Sequence, residues 1–128
     1  LTLASKKKKT RELAKKALQN KYIKLRETTD VIGVEICGSI KNVIALSAGM
    51  LEGMKANDST KAMLITEAML DMEEILFAFG AKKRTVDSYA GIGDLLLTCT
   101  STKSRNYSFI SCFKLSEKGD NNETARKR

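Results

Sequence analysis

The sequence predicts a mainly α-helical domain carrying a small α/β piece at its N-terminal end. Three observations predict it. From residue 29 onward, apolar residues recur at helical spacing over two long stretches. Before that point, a helical stretch lies between two short strand-like runs. The charge follows the same division, at net +9 over residues 1–26, −5 over 27–102 and +4 over 103–128. An acidic helical body with two basic flanks follows from this, and a basic overall balance of +8 alone says little about nucleic acid.

Each element has a local reason. Leu1 to Ala4 reads as the end of a strand, and Ser5 as N-cap of a helix from Lys6 to Gln19 with Leu13, Ala14, Ala17 and Leu18 as its apolar stripe. In Tyr22 to Arg26, Ile23 and Leu25 alternate with Lys24 and Arg26, which is strand spacing. Strand, helix and strand make the closing piece of an α/β unit, too small to be a domain. Thr29 or Asp30 caps a long helix running to about Met54, whose Gly33, Gly38 and Gly49 call for close approach of neighbouring backbone. Asn57 and Asp58 open a second helix ending near Phe79 with Gly80 at its C-terminal cap. Met63, Leu64, Met69, Leu70, Met72, Leu76 and Phe77 are its expected core side, and the five methionines are read as core packing. Shorter helices are expected over 82–90, 91–101 and 104–113, and the polar residues 114–128 are expected to be disordered.

Composition removes several chemistries. There is no histidine, and the three cysteines (Cys37, Cys99 and Cys112) form no CxxC, so no metal site is expected. Acid–base chemistry must use Lys, Asp, Glu, Tyr or Cys. Reduced thiols place the chain in the cytoplasm. No apolar run is expected to span a membrane, because Lys41, Asn42 and Ser47 interrupt the longest. Gly91 and Gly93 lack the third glycine of a dinucleotide fingerprint.

One lysine stands out. At 3.6 residues per turn, Lys41 shares a face with Val34, Cys37, Gly38, Ile44, Ala45 and Ala48, none of them charged. Either it snorkels past small neighbours to water, or it faces a partner for its charge. Asp94, set among Ile92, Leu95, Leu96 and Leu97, is a candidate partner, and equally a helix-start residue. Thr98 projects from the same face four residues on. Ser104, Arg105 and Asn106 open the next helix, where exposed amides and a guanidinium suit a phosphate; alone, Arg105 reads equally as a solvated charge.

The strings DVIGVEICGSIKNVIALSAGM, NDSTKAMLITEAM and GIGDLLLTCTSTKSRNYSF carry a resemblance. From about Leu3 to Phe109 the chain resembles the substrate-binding half of NAD(P)-dependent glycerol-3-phosphate dehydrogenases of the bacterial type. The resemblance implies an oxidoreductase that interconverts sn-glycerol 3-phosphate and dihydroxyacetone phosphate with NAD or NADP. It implies Lys41 as the catalytic acid–base, Asn42 beside the substrate, and Asp94 paired with the lysine. It further implies Thr98 near the pocket, Ser104, Arg105 and Asn106 on the substrate phosphate, and Arg105 also near the dinucleotide. Residues 1–28 then resemble the end of a dinucleotide-binding domain, and 29–113 an incomplete helical substrate-binding domain. The family's glycine-rich loop and second active-site lysine are not matched, and Ile110 stands where the family has glycine.

The expected partners are a small-molecule phosphate and, through an unpaired strand edge, a second copy of the chain. No membrane and no nucleic acid are expected; a basic nucleic-acid-binding module and a non-catalytic helical fragment are the alternative readings. An internal or truncated piece of such an enzyme is expected not to turn over alone. Following NADH absorbance with dihydroxyacetone phosphate checks this, and clear turnover by the pure 128-residue chain overturns it.

Overall fold

A computed structural model of the chain describes residues 1–108. In chain order its elements are strand β1 (Thr2–Ala4), helix α1 (Lys8–Leu18), strand β2 (Arg26–Thr28), and helices α2 (Val31–Gly53), α3 (Asp58–Ala78) and α4 (Asp94–Thr100). A 3-10 turn at Lys83–Thr85 and a wide turn at Tyr89–Gly93 link α3 to α4. The fold is mainly helical with a two-stranded parallel sheet, as the spacing predicts. The sheet pairs Thr2 with Arg26, Leu3 with Glu27 and Ala4 with Thr28.

The α/β piece departs from expectation in three places. The N-cap of α1 is Lys7, without a side-chain cap; the Ser5 hydroxyl instead accepts from the Lys7 amide, and its carbonyl from Arg11. The apolar stripe of α1 is not core: the helix has no buried residue, and Leu13 is 69% exposed. The second strand begins at Arg26, not Tyr22, because the Asn20 side chain accepts from the Tyr22 and Ile23 amides and bends the chain where a ladder would need them. Charge ties the piece together, with Lys15 and Arg11 both on Glu27 at 2.8 and 3.5 Å.

The core lies between α2, α3 and α4. Cys37, Ala45 and Ala48 of α2 meet Ala68, Met72 and Leu76 of α3 and Leu95 and Cys99 of α4, with Val86 and Tyr107 closing the cluster. The α2 side is built of small residues, so neighbouring helices approach closely. By length and mean hydropathy (1.5), α2 is apolar enough to cross a membrane, contrary to the sequence expectation. Here α3 and α4 pack along it, and it carries the central part of the core. Of the three α2 glycines, Gly49 lies directly under the Tyr107 backbone, where a Cβ would overlap the carbonyl. Gly33 faces the Asp30 side chain, and a Cβ at Gly38 would meet nothing within 4 Å, so close backbone approach explains Gly49 alone.

Helix α3 starts on the Asn57 side chain, which accepts from Thr60 N–H at 2.8 Å. It ends at Gly80, whose φ of +70° is the left-handed turn that glycine adopts without strain. The Gly80 and Ala81 amides there return to the Phe77 and Leu76 carbonyls, satisfying helix-end acceptors. Of the expected core side, Met72 and Leu76 are buried. Met63, Leu70 and Phe77, seven residues apart, form an exposed stripe instead. The methionine expectation holds for Met72 and Met69, which pack in or against the core, and fails for Met50, Met54 and Met63, which are exposed.

The expected helix over 82–90 is absent. The Asp30 carboxylate accepts from the Lys82 amide at 3.0 Å and the Thr85 hydroxyl at 2.5 Å, which fixes a tight turn there. Gly91 then takes a non-helical φ/ψ of −92°/−105°. The next expected helix is shortened to α4. Arg105 to Ser108 is helical; 109–113 and the 114–128 tail lie outside the described residues.

Asp30 is only 8% exposed and also accepts from the Gly33 amide at 3.2 Å. Burial pushes its carboxyl up, but hydrogen bonds from Thr85, Lys82 and Gly33 and the Lys82 charge outweigh this and hold it below its ordinary 3.8. Its contribution to stability is therefore complete above that ordinary value and is lost as pH falls through the lower folded one. Asp30→Ala is expected to cost roughly 2–4 kcal/mol by denaturant unfolding followed by circular dichroism. A change within about 0.5 kcal/mol, as at an ordinary surface site, would contradict that role.

Candidate functional site

Lys41 lies midway along α2, and Asp94 is the first residue of α4. The lysine ammonium donates to the Asp94 carboxylate across 53 positions of sequence. Their side chains are 24% and 35% exposed, so the pair is half-buried and reachable from solvent. Lys41 thus does not snorkel outward unpaired, and Asp94 makes no side-chain cap bond at its own helix start.

The neighbouring contacts extend the pair into a constellation. The Asn106 side-chain amide donates to Asn42 Oδ1 at 3.1 Å, across 64 positions. Asn42 in turn donates to the Gly38 carbonyl at 3.1 Å, one turn back on α2. Consecutive residues Lys41 and Asn42 therefore receive α4 and the 104–108 segment respectively. The Thr98 hydroxyl donates to the Asp94 carbonyl at 2.6 Å and is spent on its own helix. Ser104 acts as a local cap, its hydroxyl accepting from the Tyr107 amide at 3.4 Å. Arg105 is exposed and makes no hydrogen bond or ion pair among the described residues. The structure thus joins Lys41 to Asp94 and Asn42 to Asn106, with Thr98 bonded only to the Asp94 backbone carbonyl, while Ser104 and Arg105 have no direct bond to those four.

Two features were not legible in the sequence. Glu52 of α2 accepts from Lys61 of α3 at 2.5 Å and faces the Tyr107 hydroxyl. Hydrogen bonding from Lys61 and then Tyr107 holds the Glu52 carboxyl below its ordinary range. Tyr107, only 8% exposed, has its hydroxyl pushed up by burial and then by Glu52. The second feature is a cavity of about 950 Å3 between β2 and the 82–93 turns, rimmed by Arg26, Lys82 and Arg84. No residue of the constellation lines it. Within GIG at 91–93, Gly91 is buried against the Val86 carbonyl, while Ile92 and Gly93 line the cavity wall.

A half-open ammonium steadied by a carboxylate, with two amides beside it and a free guanidinium nearby in sequence, suits a small polar anion that gains or loses a proton. The family model described as the NAD-dependent glycerol-3-phosphate dehydrogenase C-terminus matches residues 30–126. The chain belongs to that family. The match starts at Asp30, the N-cap of α2.

Among curated relatives, a glycerol-3-phosphate dehydrogenase (NAD(P)+) of Lacticaseibacillus casei is 44% identical over 107 residues, covering 84% of this chain and 30% of the relative. One of Coxiella burnetii is 40% identical over 92 residues, covering 72% of this chain and 28% of the relative. The crystal structure of a glycerol-3-phosphate dehydrogenase from Coxiella burnetii superposes with a TM-score of 0.85 at 35% identity, over 88% of this chain and 35% of that one. The chain thus spans about a third of the length of these relatives. A dehydrogenase family does not favour the nucleic-acid-binding alternative.

The thiols in this core are inert by environment. Cys37 and Cys99 are free and buried; burial raises the first and pushes the second up to about 11. Thiolate is the reactive form, so neither suits a nucleophile. Iodoacetamide at neutral pH is expected to spare both in the native chain and label both in denaturant, read by peptide mass spectrometry. Native labelling of Cys99 at a free thiol's rate would contradict the packing.

Proposed function

We propose that this chain is the substrate-binding portion of an enzyme that interconverts sn-glycerol 3-phosphate and dihydroxyacetone phosphate. In this reading, 1–28 ends a dinucleotide-binding domain and 29–113 belongs to the substrate domain. The observation that carries the proposal is the Lys41–Asp94 pair, set beside the Asn42–Asn106 contact.

Reduction of the ketone puts a hydride on carbon and a proton on oxygen. NAD or NADP, named for the relatives, supplies the hydride when bound. The residues here do the rest. Lys41 gives the proton to the C2 oxygen and takes it back in the reverse direction. Asp94 fixes the ammonium, so no reorganisation is needed at the moment of transfer. Asn42 lies beside the substrate, and its contact with Asn106 ties it to the phosphate-holding segment. Ser104, Arg105 and Asn106 hold the phosphate, where a planar guanidinium suits its oxygens. Arg105 is the residue here that suits a dinucleotide phosphate as well, being exposed and unpaired. Thr98 acts behind Asp94 through its bond to the Asp94 carbonyl.

Free thiols at Cys37 and Cys99 support a cytoplasmic location. A second copy is the proposed macromolecular partner, since β1 and β2 pair only with each other among the described residues.

The test is a chimera in which this chain replaces the corresponding portion of the Lacticaseibacillus casei relative. Lys41→Met is expected to lower kcat by about 10²–10⁴ with the fold retained, the usual range for losing a positioned acid–base group. Asn106→Ala is expected to act mainly on KM for the phosphate substrate. Full activity in Lys41→Met would sink the assignment.

A further inference from the structure

The 104–107 segment meets α2 in three places. At the far end, the buried Tyr107 ring enters the core and its hydroxyl faces Glu52. One turn back, the Tyr107 carbonyl rests on Gly49, at a separation that leaves no room for a Cβ. Two further turns back, Asn106 reaches Asn42. Asn42, Gly49 and Glu52 are spaced by seven and three residues, so they line one face of α2. Glu52 is itself held from the other side by Lys61 at 2.5 Å, and Lys61 is steadied by Asp58 at 3.7 Å.

We propose that Gly49 and Glu52 are positioning residues, which seat Tyr107 on α2 and thereby set Asn106 against Asn42 beside the Lys41–Asp94 pair. The argument is geometric. A short segment joined to α2 by a single amide contact at 3.1 Å would swing about it. A buried ring one residue further on removes that freedom, and the glycine fixes how closely the backbone settles. Any side chain at position 49 lifts Tyr107 from α2 and carries Asn106 with it. Glu52 fixes the rotation of the ring through its hydroxyl, and Lys61 holds Glu52 in the matching rotamer. The inference rests on the reading of Ser104 to Asn106 as the anion-holding part of the site.

The test uses the 128-residue chain with Tyr107→Phe, Glu52→Gln and Gly49→Ala. Three quantities are read: melting temperature, the Asn42 and Asn106 side-chain amide resonances, and the affinity for inorganic phosphate followed at the Arg105 amide. Tyr107→Phe and Glu52→Gln keep the ring in the core, so the melting temperature is expected to stay near that of the parent. The Asn42 and Asn106 resonances should nonetheless shift, and phosphate should bind about three- to tenfold more weakly, the loss of one hydrogen bond. Gly49→Ala should abolish the Asn42–Asn106 contact. A structural role alone would move the melting temperature and leave those resonances in place. If all three variants keep the parent resonances, the positioning role is overturned. If the resonances shift while the parent chain binds no phosphate, positioning stands and the anion-holding reading fails instead.

Discussion

The Asp30 carboxylate is the point on which the arrangement turns. It takes the Gly33 amide in the first turn of α2 and, some fifty residues later, an amide and a hydroxyl from the 82–85 turn. A buried carboxylate left without those donors would be costly, so the two segments stay together. That contact decides where the chain re-enters the core through Val86 and where α4 starts. Asp94 then arrives on the side of α2 that carries Lys41. The ion pair is the visible result, and the buried cap upstream is its cause.

Small side chains do the complementary work. Cys37, Ala45 and Ala48 leave α2 thin on its packed side, so α4 comes near enough for a lysine and an aspartate to meet. Bulkier residues would fill the same volume but hold the helices apart. The two buried cysteines are explained in this way too, as small apolar fillers with raised thiols.

Much of this was legible in the residue pattern. The limits of α2 and α3 followed from Asp30, Asn57 and Gly80, because caps and left-handed turns are local chemistry. For Lys41 and Asp94 the residues alone left snorkelling and a helix-start role open, and the family resemblance implied the pairing that is found. What stayed hidden depends on distant partners. The apolar stripe of α1 and the Met63, Leu70 and Phe77 stripe of α3 show helical spacing, yet no residue of α1 is buried and those three α3 side chains stay exposed. The 82–90 stretch has helical composition, but Asp30 takes its first amide. The Glu52–Lys61 contact has no signature at all, since any surface glutamate reads the same.

The position of Lys41 within α2 has one more effect. Twenty-three residues of this mean hydropathy match the thickness of a bilayer, and the lysine is the eleventh of them. A cation at the centre of a spanning helix costs about 2.5–3.5 kcal/mol on insertion scales. The ammonium therefore penalises entry into lipid as the helix leaves the ribosome, before α3 and α4 exist to cover it. The same side chain that pairs with Asp94 in the folded domain thus opposes insertion of its own helix while the rest of the domain is being made.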